Sequence, residues 1–208
     1  MGNNVVITIG REFGSGGREI GKKVADRLGI KFYDKELLQE AAKESGFCRE
    51  IFENQDEKPT NSFLYSLVMD TYSVSGYSAA PFLDMPLNHK VFLAQFDTIK
   101  KIASEESCVI VGRCADYILE DIPNHLNVFV YAPEEARLKN CVENLQMDPQ
   151  TAKKMMRDVD AARNRYHKAY IPGWQSVFDH KDLMIDSSRF GIDGTAKILA
   201  DIVRNQWG

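Results

Sequence analysis

Short apolar runs rich in β-branched residues recur along the chain, and stretches with helical spacing separate them. The first run, VVITI at residues 5–9, stops at a glycine. A run of this length without polar alternation predicts a strand that is buried on both faces, as in a parallel sheet. Similar runs predict further strands at residues 30–33, 108–111, 128–131 and 183–185.

The stretches between these runs carry apolar residues at helical spacing. Ile20, Val24 and Leu28 recur every four residues, and Gly29 follows where a helix would end. Strands that alternate with helices predict an α/β fold, in which a five-stranded parallel sheet lies between helical layers with right-handed crossovers. Further helices are predicted at residues 34–45, 62–69, 90–104, 133–145, 149–166 and 192–205.

Length and composition fit one domain with an insertion. A chain of 208 residues can bury a full core, and 44% hydrophobic with 27% charged residues argues against wholesale disorder. Residues 47–107 are too many for a simple crossover between two strands. We therefore interpret them as an inserted helical subdomain within a single domain of residues 1–208.

A glycine-rich segment, GREFGSGGRE at residues 10–19, follows the first predicted strand and precedes the first predicted helix. Glycines at such a place let a polyphosphate reach backbone N–H groups, and they tolerate the positive φ angles of a tight loop. The following helix adds the partial positive charge of its N-terminus. The segment therefore predicts a phosphate-binding loop for ATP. The expected contacts are Gly10, Gly14, Ser15, Gly16, Gly17 and Arg18.

The loop departs from the standard pattern G-x-x-x-x-G-K-[ST]. Gly17 stands where the lysine belongs if Gly16 is the second glycine, and Glu19 takes the Ser/Thr position if Arg18 supplies the cation. Arg18 can still bind phosphate oxygens through its bidentate guanidinium. Two alternatives stay open: a turn without a ligand, and a dinucleotide site in which Asp34 would meet the ribose.

A second candidate lies at the end of the predicted strand at residues 108–111, where Gly112 and Arg113 follow. Ligands of open α/β sheets bind at the carboxyl ends of the strands, so Arg113 is well placed to receive an anion. The alternative is a structural ion pair or helix cap that joins Arg113 to Asp116.

The third candidate is a charged cluster within the predicted helix at residues 149–166. Arg157, Asp160 and Arg163 are spaced three residues apart, which brings neighbours in the series to one face of the helix. A solvated helix with internal ion pairs would explain this pattern taken alone. Next to a phosphate loop, the arginines instead indicate neutralisation of the charge on a transferring phosphoryl group.

Charge, cysteines and the N-terminal segment exclude several classes of protein. A net charge of −4 argues against a general nucleic-acid binder. The cysteines lack CxxC spacing and the histidines lack metal-ligand spacing, so neither a disulfide framework nor a histidine metal site is expected. The apolar run near the N-terminus is too short for a signal peptide or a membrane span, so we expect a cytoplasmic protein without a membrane partner.

These motifs resemble those of the cytidylate kinase-like proteins, which are P-loop nucleoside monophosphate (NMP) kinases. The resemblance implies a three-layer P-loop NTPase fold with a helical NMP-binding insertion at residues 47–107 and a helical lid at residues 133–175. It covers nearly the whole chain. Its most specific parts are residues 9–20, 32–34, 109–116 and 160–163.

The resemblance also implies a reaction and its residues. The implied enzyme is a Mg²⁺-dependent kinase that transfers the γ-phosphate of ATP to CMP or dCMP, under a lid that excludes water. Asp34 resembles the acidic residue at the entrance to the monophosphate site, and Arg113 resembles the arginine that contacts CMP. With Arg18, which the loop itself suggests, the expected catalytic residues are Arg157 and Arg163 of the implied lid. The implied substrate-binding residues are Asp34, Arg113, Asp116, Asp160 and Arg163.

Two other functions are compatible with the same loop. A kinase for a small metabolite would share the fold, and the fold alone does not separate the two. A nucleotide-binding sensor would have lost catalysis together with the loop lysine. The sequence does not identify a protein ligand for Mg²⁺ or an oligomeric state.

Overall fold

The computed structural model describes residues 4–34 and 87–208. The helices predicted at residues 34–45 and 62–69, and most of the predicted insertion at residues 47–107, lie outside these ranges. The chain divides into two compact units, one made of Met1–Asp34 with Ala103–Gly208 and the other of Lys35–Ile102. The sheet and the candidate site belong to the first unit.

Five parallel strands form one sheet in the described part of the chain, which confirms the predicted α/β fold. They pair in the order β2-β3-β1-β4-β5, so that β1 is central. Val6 in β1 lies opposite Cys108 of β3 on one side and His125 of β4 on the other. The strands are β1 (Val6–Arg11), β2 (Lys31–Tyr33), β3 (Cys108–Val111), β4 (His125–Tyr131) and β5 (Leu183–Asp186).

Six helices accompany the sheet in the described ranges: α1 (Gly17–Leu28), α2 (Leu87–Glu105), α3 (Ala115–Ile118), α4 (Glu134–Glu143), α5 (Pro149–Tyr170) and α6 (Ser187–Trp207). α1 ends at Gly29 as predicted, where φ is +67°. α5 continues past its predicted end, and α3 was not predicted because a single turn has no periodic pattern. None of these helices has the length and apolar character that a membrane crossing requires.

α6 begins before its predicted start at residue 192. The carboxylate of Asp186 accepts a hydrogen bond from the Ser188 amide and so caps the first turn. Gly191 then interrupts the helical backbone with φ +64° and ψ 177°. The apolar periodicity predicts only the part of α6 that follows this kink.

α1 and α6 share a buried core with the central strands. Ile20 and Val24 of α1 and Leu199 of α6 are fully buried in one cluster with Ile9 and Val128. Burial of branched side chains of this size contributes about 1.5–3 kcal/mol each. The loop between β1 and α1 therefore starts and ends on rigid elements.

Candidate active site

The glycine-rich segment forms a tight loop between the end of β1 and the start of α1. Gly14 and Gly16 have φ angles of +82° and +77°, which residues with a side chain rarely adopt. Gly16 is also the N-cap of α1. The amides at the start of a helix carry partial positive charge and bind anions. The loop thus has the positive φ angles that the sequence predicts, next to a helix N-terminus.

The loop is packed too closely for side chains at several of its glycines. A Cβ at Gly14 would lie 2.9 Å from both the carbonyl oxygen of Arg137 and Sγ of Cys141 in α4. A Cβ at Gly10 would lie 2.8 Å from the ring of Phe129. Close packing and backbone conformation therefore both require glycine at Gly14.

Side chains from α4 and α6 bind the carbonyl groups of the loop. The Ser187 hydroxyl donates to the carbonyl of Ser15 at 2.7 Å, and the Asn140 amide donates to the carbonyl of Gly14 at 2.8 Å. The hydroxyl of Ser15 itself donates to the carbonyl of Glu12 at 2.9 Å. These bonds fix the loop without a ligand, and Ser15, a predicted ATP contact, uses its hydroxyl inside the loop.

α5 is anchored to the loop through Asp160. One carboxylate oxygen accepts from the amide of Phe13 at 2.8 Å, and the other accepts from the guanidinium of Arg137 at 2.6 Å. Arg163 donates to Asp160 at 3.3 Å and to the carbonyl of Arg11 at 2.9 Å. The structure therefore brings the predicted residues Asp160 and Arg163 together at the loop.

Arg18, the predicted loop cation, is paired with Asp34. Its Nε and Nη2 atoms lie 2.8 and 2.5 Å from the same carboxylate oxygen of Asp34. The side chain of Asp34 is buried, whereas that of Arg18 is 65% exposed. Two predicted site residues are thus in contact, and part of the Arg18 guanidinium is already bound by a carboxylate.

Arg113 lies in a left-handed turn after β3. Gly112, Arg113 and Cys114 have φ angles of +81°, +61° and +55°. The two residues with side chains are strained there, and strain of this kind is concentrated at functional sites. Arg113 lies near Tyr166 in α5 and favours a lower pKa there, but burial outweighs this effect and raises the pKa of Tyr166 to about 12. The turn therefore holds Arg113 at the carboxyl edge of the sheet, beside α5.

Asp116 forms a buried ion pair with Lys181, which precedes β5. The side chain of Lys181 is 3% exposed and that of Asp116 is 8% exposed. His167 Nε2 lies 3.9 Å from the other carboxylate oxygen of Asp116, and Lys181 Nζ lies 5.9 Å from the centre of the Trp174 ring. The pair joins α3 to the segment that follows α5.

Two cavities flank the loop. One, of about 110 Å³, opens at the carboxyl ends of β1 and β3, and Arg11, Gly112, Asp116 and Arg163 contribute to its lining. The other, of about 470 Å³, lies between the loop, α4 and α6.

A model of the cytidylate kinase-like family matches residues 6–189 of this chain. The chain belongs to this family. A protein described as cytidylate kinase from Methanocaldococcus jannaschii is 24% identical over 206 residues, which are 97% of this chain and 98% of that protein. The family supports a kinase-type phosphotransferase that acts on a nucleotide or a small metabolite.

Solved structures agree on the fold. An uncharacterized protein from Eubacterium ventriosum is 28% identical, with a TM-score of 0.70 over 98% of this chain and 100% of that one. Shikimate kinase from Bacteroides thetaiotaomicron is 13% identical, with a TM-score of 0.52 over 96% of this chain and 98% of that one. At that identity the second likeness concerns the fold alone.

The remaining predicted residue of the cytidylate kinase-like site, Arg157, is exposed on α5 and is not part of the lining of either cavity. Sequence reasoning missed three charged residues that the structure places at the site: Arg11, Arg137 and Lys181. Arg11 lies inside the glycine-rich motif, so its position could have been recognised. Arg137 and Lys181 reach the site only through the fold, and no local pattern marks them.

The anchor at Asp160 leads to a prediction. Asp160→Asn removes the charge that holds two guanidinium groups, while an amide oxygen can still accept from Phe13. Charge-assisted hydrogen bonds contribute about 1.5–3 kcal/mol, so we expect a loss of stability of about 2 kcal/mol and weaker ATP binding. Thermal unfolding and calorimetric ATP titration measure the two effects.

Asp158→Asn is the matched control for this experiment. Asp158 lies on the same helix and is exposed, so the variant makes the same change of charge without touching the loop. Equal effects in both variants would mean that net charge, and not the anchor, is responsible.

Proposed function

We propose that the protein is a Mg²⁺-dependent kinase that transfers the γ-phosphate of ATP to a nucleoside monophosphate, with CMP or dCMP preferred. The observation that carries this proposal is the prearranged glycine loop, in a chain of the cytidylate kinase-like family. Phosphoryl transfer depends mainly on positioning and on neutralisation of charge. A rigid loop of amides between two cavities suits both needs.

The two cavities suggest where the substrates bind. The loop amides and the first turn of α1 would hold the phosphates of ATP, and its nucleoside would occupy the larger cavity beside α4 and α6. The monophosphate would enter at the carboxyl ends of β2 and β3, where Asp34, Arg113 and Asp116 lie. Arg163 and Arg157 of α5 would complete the enclosure, and exclusion of water would favour the acceptor over hydrolysis.

Mg²⁺ is expected to arrive with ATP. The described residues contain no group of three or more His, Cys, Asp or Glu side chains that could hold a metal ion by themselves. Mg²⁺ does not need such a group, because it usually keeps several waters and binds to substrate phosphates together with one or two carboxylates. Asp34 is the carboxylate that would orient those waters, and the ion would neutralise charge on the phosphates.

The acceptor test measures ADP release in a coupled assay with ATP and Mg²⁺. CMP, dCMP, UMP, AMP and small hydroxylated acids are the acceptors, and we expect the highest kcat/KM with CMP or dCMP. Arg113→Gln should raise the KM for the monophosphate about tenfold or more, because it removes a charged contact. Arg204→Gln, an exposed arginine in the last turn of α6, should leave both constants unchanged.

The second candidate function is nucleotide binding without turnover. It is favoured by Gly17 in the place of the loop lysine and by the pairing of Arg18 with Asp34. ATP binding without acceptor-dependent ADP release would support it against the kinase. Turnover with a hydroxylated acid alone would instead assign the protein to the small-metabolite kinases.

A further inference from the structure

The side chain of Arg11 packs against two glycines, Gly17 and Gly112. Arg11 is the last residue of β1, and its side chain runs from the loop towards the end of β3. A Cβ at Gly17 would lie 2.6 Å from the Cβ of Arg11, and a Cβ at Gly112 would overlap Nη1 of its guanidinium. Glycine at Gly17 is therefore needed beside the Arg11 Cβ, and glycine at Gly112 leaves room for the guanidinium in this position.

The guanidinium of Arg11 has an unfavourable electrostatic environment. Within residues 4–34 and 87–208 no carboxylate forms an ion pair with it. Burial, together with the nearby charges of Arg163 and Arg113, lowers the pKa of Arg11 to about 9, although Asp160 and Asp34 act in the opposite direction. A partly buried cation beside two others is costly unless an anion joins them.

The carboxylates around the cavity are already engaged. Asp116 is paired with Lys181, and Asp160 accepts from Phe13, Arg137 and Arg163. Arg11 lines the same cavity between them. Arg11 therefore has no carboxylate ion-pair partner among the described residues, and a guanidinium fork matches phosphate oxygens in particular.

We propose that Arg11 is the phosphate-binding cation of this loop, which binds a phosphate group of the substrate in the cavity at β1 and β3 and takes the place of the absent loop lysine. The inference deepens the proposed function and rests on it for the identity of the substrate. Arg18 is the less suitable cation, because it is 65% exposed and already bound by Asp34.

Inorganic phosphate tests the site without any need for turnover. Wild-type protein, Arg11→Met, Arg11→Lys and Arg204→Met are titrated with phosphate at constant ionic strength, and the shift in Tm gives Kd. We expect phosphate to stabilise wild-type and Arg204→Met alike. Arg11→Met should weaken binding about 10- to 100-fold, as expected for loss of a charge-assisted contact, and Arg11→Lys should lie between.

The same variants test whether the role of Arg11 is only structural. Without phosphate, Arg11→Met should be at least as stable as wild-type, because it removes a charge beside Arg113 and Arg163. If Arg11→Met does not fold, Arg11→Lys and Gly112→Ala carry the test, since the second displaces the guanidinium and keeps the arginine. Phosphate binding unchanged in the variants, or absent from wild-type, overturns the inference.

ADP release separates this inference from the proposed function. Phosphate binding that depends on Arg11, in a protein without acceptor-dependent ADP release, supports the site and contradicts the kinase. Unchanged ADP release by Arg11→Met supports the kinase and contradicts the assignment of Arg11.

Discussion

Replacement of Gly14 by alanine should strongly weaken ATP binding and destabilise the protein by about 2–5 kcal/mol. The left-handed backbone costs an alanine about 1–2 kcal/mol, and the overlap with the Arg137 carbonyl and Cys141 adds an overpacking cost of about 1–3 kcal/mol. The loop has to move away from α4 to relieve this overlap, so its amides lose their alignment. Thermal unfolding and ATP titration measure the two losses.

Gly29→Ala separates the effect of contact from that of backbone strain. Gly29 has a similar φ of +67°, but a Cβ there would meet nothing within 4 Å. This variant should lose about 1 kcal/mol and keep its affinity for ATP. If Gly14→Ala behaved like Gly29→Ala, the packing of the loop against α4 would not matter for binding.

The ion pair of Lys181 with Asp116 leads to the second large effect. Lys181→Met leaves a carboxylate buried without its partner, which typically costs about 3–5 kcal/mol. For a protein of this size that corresponds to a fall in Tm of about 10 °C. The exposed pair of Lys197 with Asp201 provides the control, and Lys197→Met should change Tm little.

A double variant tests the cause of that loss. Lys181→Met with Asp116→Leu replaces the pair by apolar side chains, and such replacements are often neutral or stabilising. We therefore expect the double variant to regain most of the Tm that Lys181→Met loses. A double variant as unstable as the single one would mean that Lys181 acts through its contact with Trp174 instead.

The sheet could be predicted because its central strands are continuous apolar runs. The start of β4 was missed for a physical reason: His125 and Asn127 are polar, but both are buried or partly buried there. The hydroxyl oxygen of Thr8 in β1 lies 2.7 Å from Nε2 of His125, and the hydroxyl donates to Oδ1 of Asn127 at 3.2 Å. Burial lowers the pKa of His125. Polar side chains that hydrogen-bond to a neighbouring strand can be buried, so the start of β4 lacks the apolar run from which a buried strand is predicted.

The candidate site was predictable in its backbone and less so in its side chains. Positive φ at Gly14 and Gly16 follows from the glycine pattern, since few other residues adopt it. The choice between Arg11 and Arg18 as the loop cation depends on the direction in which each side chain leaves the backbone. Gly112, in the turn after β3 and far along the chain, leaves room for the Arg11 side chain, and Asp34, which follows β2, binds that of Arg18.

The central place of β1 also bears on how the chain folds as it is synthesised. β1 is made before both of its neighbours, and it pairs with β3 and β4 only after residues 108–131 have been added. Until then an apolar strand has two open edges, which is a recognised hazard for aggregation in nascent chains. Because the Ser187 hydroxyl of α6 binds the loop carbonyl of Ser15, the candidate site is among the last features to form, and a ribosome-bound chain that ends before α6 carries the glycine motif without the complete site.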